Sequence, residues 1–359
     1  MNRPARPASP GRGAGRNVPH RFDPREVVPV DGDDPLPDED APRLETCVVP
    51  ERTRSVITRN DSPDLAFRQS VNPYRGCEHG CVYCFARPTH AYLGLSPGLD
   101  FETKIFSKPD APRLLREELA KPGYRAEPLV LGANTDPYQP VERGLRITRG
   151  VLEVLAEHAH PVSIVTKSRL VLRDLDLLAP MARIRCSMVY VSITTLDAEL
   201  ARSMEPRAAA PPRRLETLRG LAKAGVPCGV LVSPVIPGLT DSEMERILAA
   251  AAEAGVVTAS YSLLRLPHEV KTIFTEWLAS EQAPRAARVL GLLRGMRGGK
   301  LYDSRFGVRQ RGEGAVAELL ERRFEIACRR LRIDRRRQVL DASAFRVPAT
   351  RGRQPSLFD

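Results

Sequence analysis

Three cysteines, Cys77, Cys81 and Cys84, stand within eight residues as Cys-x3-Cys-x2-Cys, in the stretch Cys77-Glu78-His79-Gly80-Cys81-Val82-Tyr83-Cys84. Thiolates this close along one glycine-containing loop suit a metal site. The full count of seven, an odd number, fits a reducing compartment better than a disulfide framework. Two metals fit the spacing. Three thiolates can hold three irons of a cubane [4Fe-4S] cluster, which usually has four cysteines. With no fourth cysteine nearby, one iron stays open to a chelating ligand from outside the chain. Alternatively, His79 completes a Cys3His set around zinc. His79 lies inside the same tight loop, however, and the second half of a zinc ribbon is missing, so iron and sulfide fit better.

The flanking residues carry a resemblance. The chain resembles the radical S-adenosylmethionine (SAM) superfamily, whose signature is this cysteine spacing with an aromatic before the third cysteine, here Tyr83. More narrowly, it is similar to the branch related to spore photoproduct lyase, radical enzymes of DNA repair. The phrases that carry this are NPYRGCEHGCVYCFAR (72–87), GANTDPYQPVE (132–142) and VTKS (165–168). The resemblance covers about Asp64 to Pro267, and YDSRFGVRQRGEGAVAELLERRF (302–324) resembles the tail of other members of the branch. It implies that SAM chelates the open iron and that reduction of the cluster cleaves the sulfonium. The released 5′-deoxyadenosyl radical then takes hydrogen from a substrate. It also implies an electron donor of the flavodoxin or ferredoxin type, while the protein positions the cofactor and excludes competing quenchers.

Carried over residue by residue, the resemblance makes Cys77, Cys81 and Cys84 the cluster ligands and lays Tyr83 against adenine. Asn134, Thr135 and Asp136 fall where the superfamily holds the methionine end of SAM, although the same residues make a turn before Pro137. Lys167 matches a lysine that contacts SAM in spore photoproduct lyase. Ser192 and Thr194 fall where a hydroxyl meets the ribose, or where β-branched alternation packs a pleat. The chain departs from the branch at two places. It has no cysteine from Phe85 to Arg185, the region of that branch's hydrogen donor, and Phe85 replaces a tyrosine tied to its radical relay. Both argue against the same thymine-dimer reversal by the same relay. Cys186, Cys228 and Cys328 are expected in the core.

These side chains need a scaffold. Strands are expected at Ala66–Val71, Leu129–Ala133, Val162–Thr166, Met188–Thr194, Gly229–Val235 and Ala259–Leu264. Amphipathic helices are expected at Pro112–Leu119, Val141–His158, Leu170–Met181, Arg213–Ala224 and Asp241–Ala254. Six βα units in succession predict an α/β fold with a parallel sheet, a partial (βα)6 barrel whose working groups lie at the carboxyl ends of the strands. Beyond Pro267 the strand signals stop, and Thr272–Gly295 and Ala315–Leu331 read as helices. The domain reading is a disordered leader over 1–45, with nine prolines and one aromatic, and a core over 46–267. A basic helical extension over 268–345 and a flexible tail over 346–359 follow.

The charge agrees with a polyanionic partner. Of a net +11, the segment Ala283–Arg353 carries 19 Lys/Arg against 7 Asp/Glu, a local +12, and the remainder is nearly neutral. Such clustering points to DNA contact, or to a solvated helix face in an Arg-rich chain. Gln354-Pro355-Ser356-Leu357-Phe358 resembles the pentapeptide that docks on the bacterial sliding clamp, with Gln354, Leu357 and Phe358 as contacts. The 42% apolar content supports a core, and no apolar run reaches 18 residues, which excludes a membrane-spanning helix. Met1–His20 lacks the apolar centre of a secretory signal. The expectation is a soluble, cytoplasmic radical SAM enzyme acting on DNA, in lesion repair or base modification. The alternatives are an RNA or protein substrate, and a non-catalytic, zinc-stabilised nucleic-acid-binding protein.

Overall fold

Apolar segments that alternate with amphipathic ones become a parallel sheet, because each strand buries both faces under the helices that connect it. The computed structural model describes residues 11–23, 44–65, 67–334 and 339–347. The strands are β1 (Cys47–Pro50), β2 (Ile57–Arg59), β3 (Gln69–Val71), β4 (Tyr74–Arg75), β5 (Lys104–Ser107), β6 (Leu129–Leu131), β7 (Val162–Thr166), β8 (Ser187–Ser192), β9 (Cys228–Val235) and β10 (Thr258–Leu263). The main sheet has the order β10-β9-β8-β7-β6-β3-β2, parallel throughout except for β2 against β3. Its six parallel strands are those expected from the sequence, with ends shifted by at most three residues. Among the described residues the sheet stays open, since β2 and β10 do not pair with each other. β4 and β5 pair antiparallel, and β1 joins β5 in parallel, as a small second sheet.

The helices are α1 (Leu99–Thr103), α2 (Ala111–Leu119), α3 (Glu142–Leu145), α4 (Ile147–Glu157), α5 (Leu175–Arg183), α6 (Ala198–Met204), α7 (Pro211–Lys223), α8 (Met244–Glu253), α9 (Val270–Glu281), α10 (Ala283–Gly295), α11 (Val308–Arg311) and α12 (Ala315–Arg330). Four expected helices divide or change type, Asp241–Ala254 by opening as a 3-10 turn over Asp241–Glu243 before α8. Val141–His158 breaks at Arg146 (φ +53), because the buried Glu142 carboxylate accepts from the Thr148 and Arg149 amides and starts α4 anew. Leu170–Met181 begins as a 3-10 turn over Arg169–Asp174 before α5. Thr272–Gly295 divides at Gln282, where Pro284 opens α10. Helix α6 was not expected. Its signal is Asp197, whose side chain accepts from the Glu199 and Leu200 amides as an N-cap.

The leader expectation is corrected over residues 11–23. Arg12 and Ala14 are buried, and the Gly13 and Ala14 amides donate to Glu102 at 2.9 and 2.8 Å. A buried carboxylate needs donors, and this segment supplies them. In the extension, half-buried Arg323 pairs with Glu245 and Arg309 with Asp64, so part of the cationic count ties the helices to the core. Other arginines, among them Arg285, Arg288, Arg322, Arg329 and Arg330, are exposed. Arg335–Arg337 and the tail residues Gln354, Leu357 and Phe358 lie outside the described residues. Among the described residues, no helix is long and apolar enough to cross a membrane.

His160, at the start of β7, is fully buried with Tyr124 and Phe345, its Nε2 2.8 Å from the Tyr124 hydroxyl. Burial holds its pKa down at about 4. The folded value lies below the unfolded one, so the unfolded chain takes up the proton first. His160 therefore contributes stability that is present above pH 6.5 and lost as pH falls towards 4, up to ~3 kcal/mol. Urea denaturation from pH 7 to pH 4.5 is expected to show wild type losing stability faster than His160→Gln.

Candidate cluster and cofactor site

The cysteine loop follows β4 and is shaped by two glycines. Gly76 (φ +78) and Gly80 (φ +68) take left-handed conformations, and a Cβ on Gly80 would meet a Glu102 carboxylate oxygen at 2.7 Å. Backbone bonds then fix the turn: Cys77 N–H to the Phe101 carbonyl (2.9 Å), Cys84 N–H to the Cys81 carbonyl (3.1 Å) and Val82 N–H to the Met204 carbonyl (3.0 Å). Arg87, wholly buried, donates to the Cys81 carbonyl (2.8 Å) and the Gly80 carbonyl (3.1 Å) and pairs with buried Glu102. On the other side, the Glu78 amide donates to Gln139 Oε1 (2.9 Å). The Glu78 carboxylate accepts from the Val141 amide (2.7 Å) and pairs with Arg207 (2.9 Å).

Cys77 and Cys81 are buried and Cys84 is half-buried. Burial pushes the Cys77 thiol well above its usual pKa, with Asp136, Cys81 and Cys84 adding to the effect. Burial also raises Cys81 and Cys84. Thiols placed this way stay protonated until a metal cation binds the sulfur and displaces the proton to solvent, so the donor set fits an iron-sulfur cluster. Among the described residues, no three His, Cys, Asp or Glu side chains are gathered as a ready single-ion site.

Beside the loop, the carboxyl ends of β7 and β8 bring together four of the expected residues. The Tyr83 hydroxyl lies 3.0 Å from Thr194 Oγ1 and bonds to Glu205, which pairs with buried Arg214. Lys167 Nζ donates to Ser192 Oγ at 3.1 Å and stands 5.8 Å from the Tyr83 ring centre. Ser192 and Thr194 both donate to the Ser233 carbonyl, at 2.9 and 3.0 Å. Asp136 reaches this group through backbone, accepting from the Lys167 amide and Thr166 Oγ1, both at 2.7 Å, and facing His79 at 3.3 Å. Burial alone would raise its pKa, but His79 and these donors outweigh that and hold it low. Asn134 and Thr135 are engaged differently. Thr135 donates to the Tyr74 carbonyl (3.1 Å), and the Asn134 amide donates to Asn72 (3.0 Å), which is turn-making.

Sequence reasoning missed Arg87, Glu102, Glu78, Gln139, Glu205 and Arg214 as positioning residues. Their partners lie up to 129 residues away in the chain's order of elements, and only the fold brings them together. Cys186 and Cys228 are buried where β8 and β9 begin, the opposite end from Ser192 and Val235. Cys228 lies three residues before Leu231, the register partner of Ser192, about 10 Å along the strand at about 3.3 Å per residue. Cys328 is buried in α12. Phe85 is 45% exposed beside Cys84, with the Arg265 guanidinium 5.0 Å from its ring centre.

The radical SAM superfamily model matches residues 71–251, a span that holds the cysteine loop and strands β6 to β9. The chain belongs to the radical SAM superfamily. An uncharacterised protein of Mycobacterium tuberculosis is 40% identical over 232 residues, 64% of this chain and 68% of that one. Another, of Methanocaldococcus jannaschii, is 29% identical over 173 residues, 48% of this chain and 62% of that one. Spore photoproduct lyase complexed with dinucleoside spore photoproduct shares the fold, with a TM-score of 0.58 at 17% identity over 79% of this chain and 78% of that one. A variant of that lyase with bound AdoMet and dinucleoside spore photoproduct gives 0.56 at 17% identity over 79% of each chain. Family membership replaces the non-catalytic zinc alternative with radical SAM chemistry.

The Arg87–Glu102 pair yields a test of the loop's support. Arg87→Met leaves Glu102 buried without its countercharge, a change that costs roughly 3–5 kcal/mol. Urea denaturation is expected to show that loss, and Arg87→Met/Glu102→Leu to recover part of it.

Proposed function

We propose that this radical SAM enzyme holds a [4Fe-4S] cluster on Cys77, Cys81 and Cys84, binds SAM at the open iron, and acts on DNA. The three-cysteine loop within the family span, with Tyr83, Lys167, Ser192 and Thr194 gathered beside it, carries this reading. When bound, cluster and SAM together supply one-electron cleavage of the sulfonium and hydrogen abstraction from a substrate carbon. The chain's own residues do the positioning. Tyr83 would hold adenine with its ring, and Ser192 and Thr194 would exchange their bonds to the Ser233 carbonyl for the ribose. Lys167, its backbone fixed by Asp136, would contact SAM. Asn134, Thr135 and Asp136 shape the turn around the methionine end. Glu205 and Arg214 keep Tyr83 in place, and the Arg87 clamp holds the thiols in register.

A DNA substrate is supported by the fold shared with spore photoproduct lyase and by the exposed arginines of the extension. The tail residues Gln354, Leu357 and Phe358 would deliver the enzyme to a sliding clamp, and a flavodoxin or ferredoxin would supply the electron. Phe85 and the lack of a cysteine from Phe85 to Arg185 favour a hydrogen-transfer route different from that of the thymine-dimer relay.

The test is anaerobic 5′-deoxyadenosine formation from SAM by the reconstituted, reduced protein, with UV-damaged DNA, undamaged DNA or neither. Stimulation by DNA is expected, and stimulation by the damaged form alone assigns lesion repair. A yield indifferent to DNA moves the substrate to RNA or protein. Cys81→Ala is expected to abolish both the brown absorbance and the product while leaving DNA retention intact.

A further inference from the structure

A concave site adjoins the cluster loop and uses none of the residues assigned to SAM. It is a cleft of about 430 Å3 between the loops that follow β6, β7 and α6, with His79 of the cluster loop in its lining. Arg143, Arg169, Arg173 and Arg207 line it together with Ser168, and its lining contains no carboxylate. The four arginines are of two kinds. Arg173 is paired with Glu142 at 2.7 Å and Arg207 with Glu78 at 2.9 Å, so both are fixed in place and partly neutralised. Arg143 and Arg169 are exposed, and neither has an ion-pair partner among the described residues. A concave wall carrying two fixed and two unpaired guanidiniums is a receptor for an anion with planar, bidentate oxygen pairs, above all a phosphate. The volume is that of a small-ligand pocket and accommodates about one nucleotide unit, not a folded acidic protein surface.

Position decides which phosphate. The cleft lies on the rim formed by the carboxyl ends of β6 and β7, the rim that carries Asp136 and Lys167. It is also tied to the cluster loop: the Arg207 amide donates to the His79 carbonyl at 3.3 Å, and the Arg207 side chain pairs with Glu78. A strand gripped here is therefore registered against the cysteine loop itself.

We propose that this cleft grips the phosphodiester backbone of the substrate strand, with Arg143 and Arg169 contacting phosphate and Arg173 and Arg207 forming the fixed wall. The inference rests on the DNA reading above and adds a site to it. Binding of a fluorescein-labelled DNA oligonucleotide to the full-length reconstituted protein, followed by anisotropy from 50 to 300 mM salt, tests it. Each phosphate contact contributes roughly 0.7 to 0.9 to the slope of log K against log salt. Arg143→Ala/Arg169→Ala is expected to lower the slope by about 1.5 and weaken binding at every sequence alike. Arg143→Lys/Arg169→Lys is expected to keep the slope. Both positions are exposed, and an unchanged urea midpoint verifies the fold. An unchanged slope in the alanine variant, with wild type binding DNA, overturns the cleft assignment alone. So does a variant that binds DNA normally but is reduced more slowly by flavodoxin, which would make the cleft an electron-donor contact. Wild type that binds no DNA overturns the substrate reading instead.

Discussion

The site depends on one buried guanidinium. Arg87 sits without solvent contact between the carbonyls of Gly80 and Cys81 on one side and those of Pro97 and Gly98 on the other, its charge met by Glu102. A charge in such a place is tolerable only when every donor is used and the counter-ion is equally buried. That requirement fixes the cysteine loop from behind, because two of the carbonyls that satisfy Arg87 belong to it. Glu102 extends the constraint outward by drawing in the Gly13 and Ala14 amides, so an N-terminal segment with almost no apolar content acquires a defined place.

From the other face, Glu78 and Gln139 tie the same loop to the turn after β6, and Glu205 ties Tyr83 to β8 and α7. The thiols thus stand between two polar frameworks, the second completed by residues that follow β6 and β8. This division suits a cluster with three protein ligands. In the proposed reading the frameworks would supply rigidity, the thiols would supply charge to a metal, and the side where Lys167, Ser192 and Thr194 meet would be left for a bound cofactor. Hydroxyls and an ammonium that now bond to one another there are groups able to exchange those bonds for a ligand's.

Most of the scaffold was legible in the sequence because parallel strands buried on both faces advertise themselves as apolar runs, as in Val162–Thr166 and Ser187–Ser192. The cysteine spacing was equally plain, since a cluster loop is local in sequence. What escaped was of two kinds. Helix boundaries moved where a side chain overrode periodicity, as Glu142 does in restarting α4 after Arg146. The polar clamps escaped because a pair such as Arg87 and Glu102 carries no pattern: each residue reads as an ordinary surface charge until the fold buries both. Composition misled in the leader for the same reason, since the Gly13 and Ala14 amides are held by the Glu102 carboxylate and the Arg12 side chain by the Glu102 and Leu44 carbonyls, with only Ala14 and Val18 adding a small apolar contact.

The most direct test of the central claim, a three-cysteine cluster with one iron open to SAM, is metal analysis joined to electron paramagnetic resonance of the anaerobically reconstituted, reduced protein. The account predicts about four irons and about four sulfides per chain, and a spectrum that changes when SAM is added. Zinc in place of iron, or a cluster whose spectrum is indifferent to SAM, would contradict it.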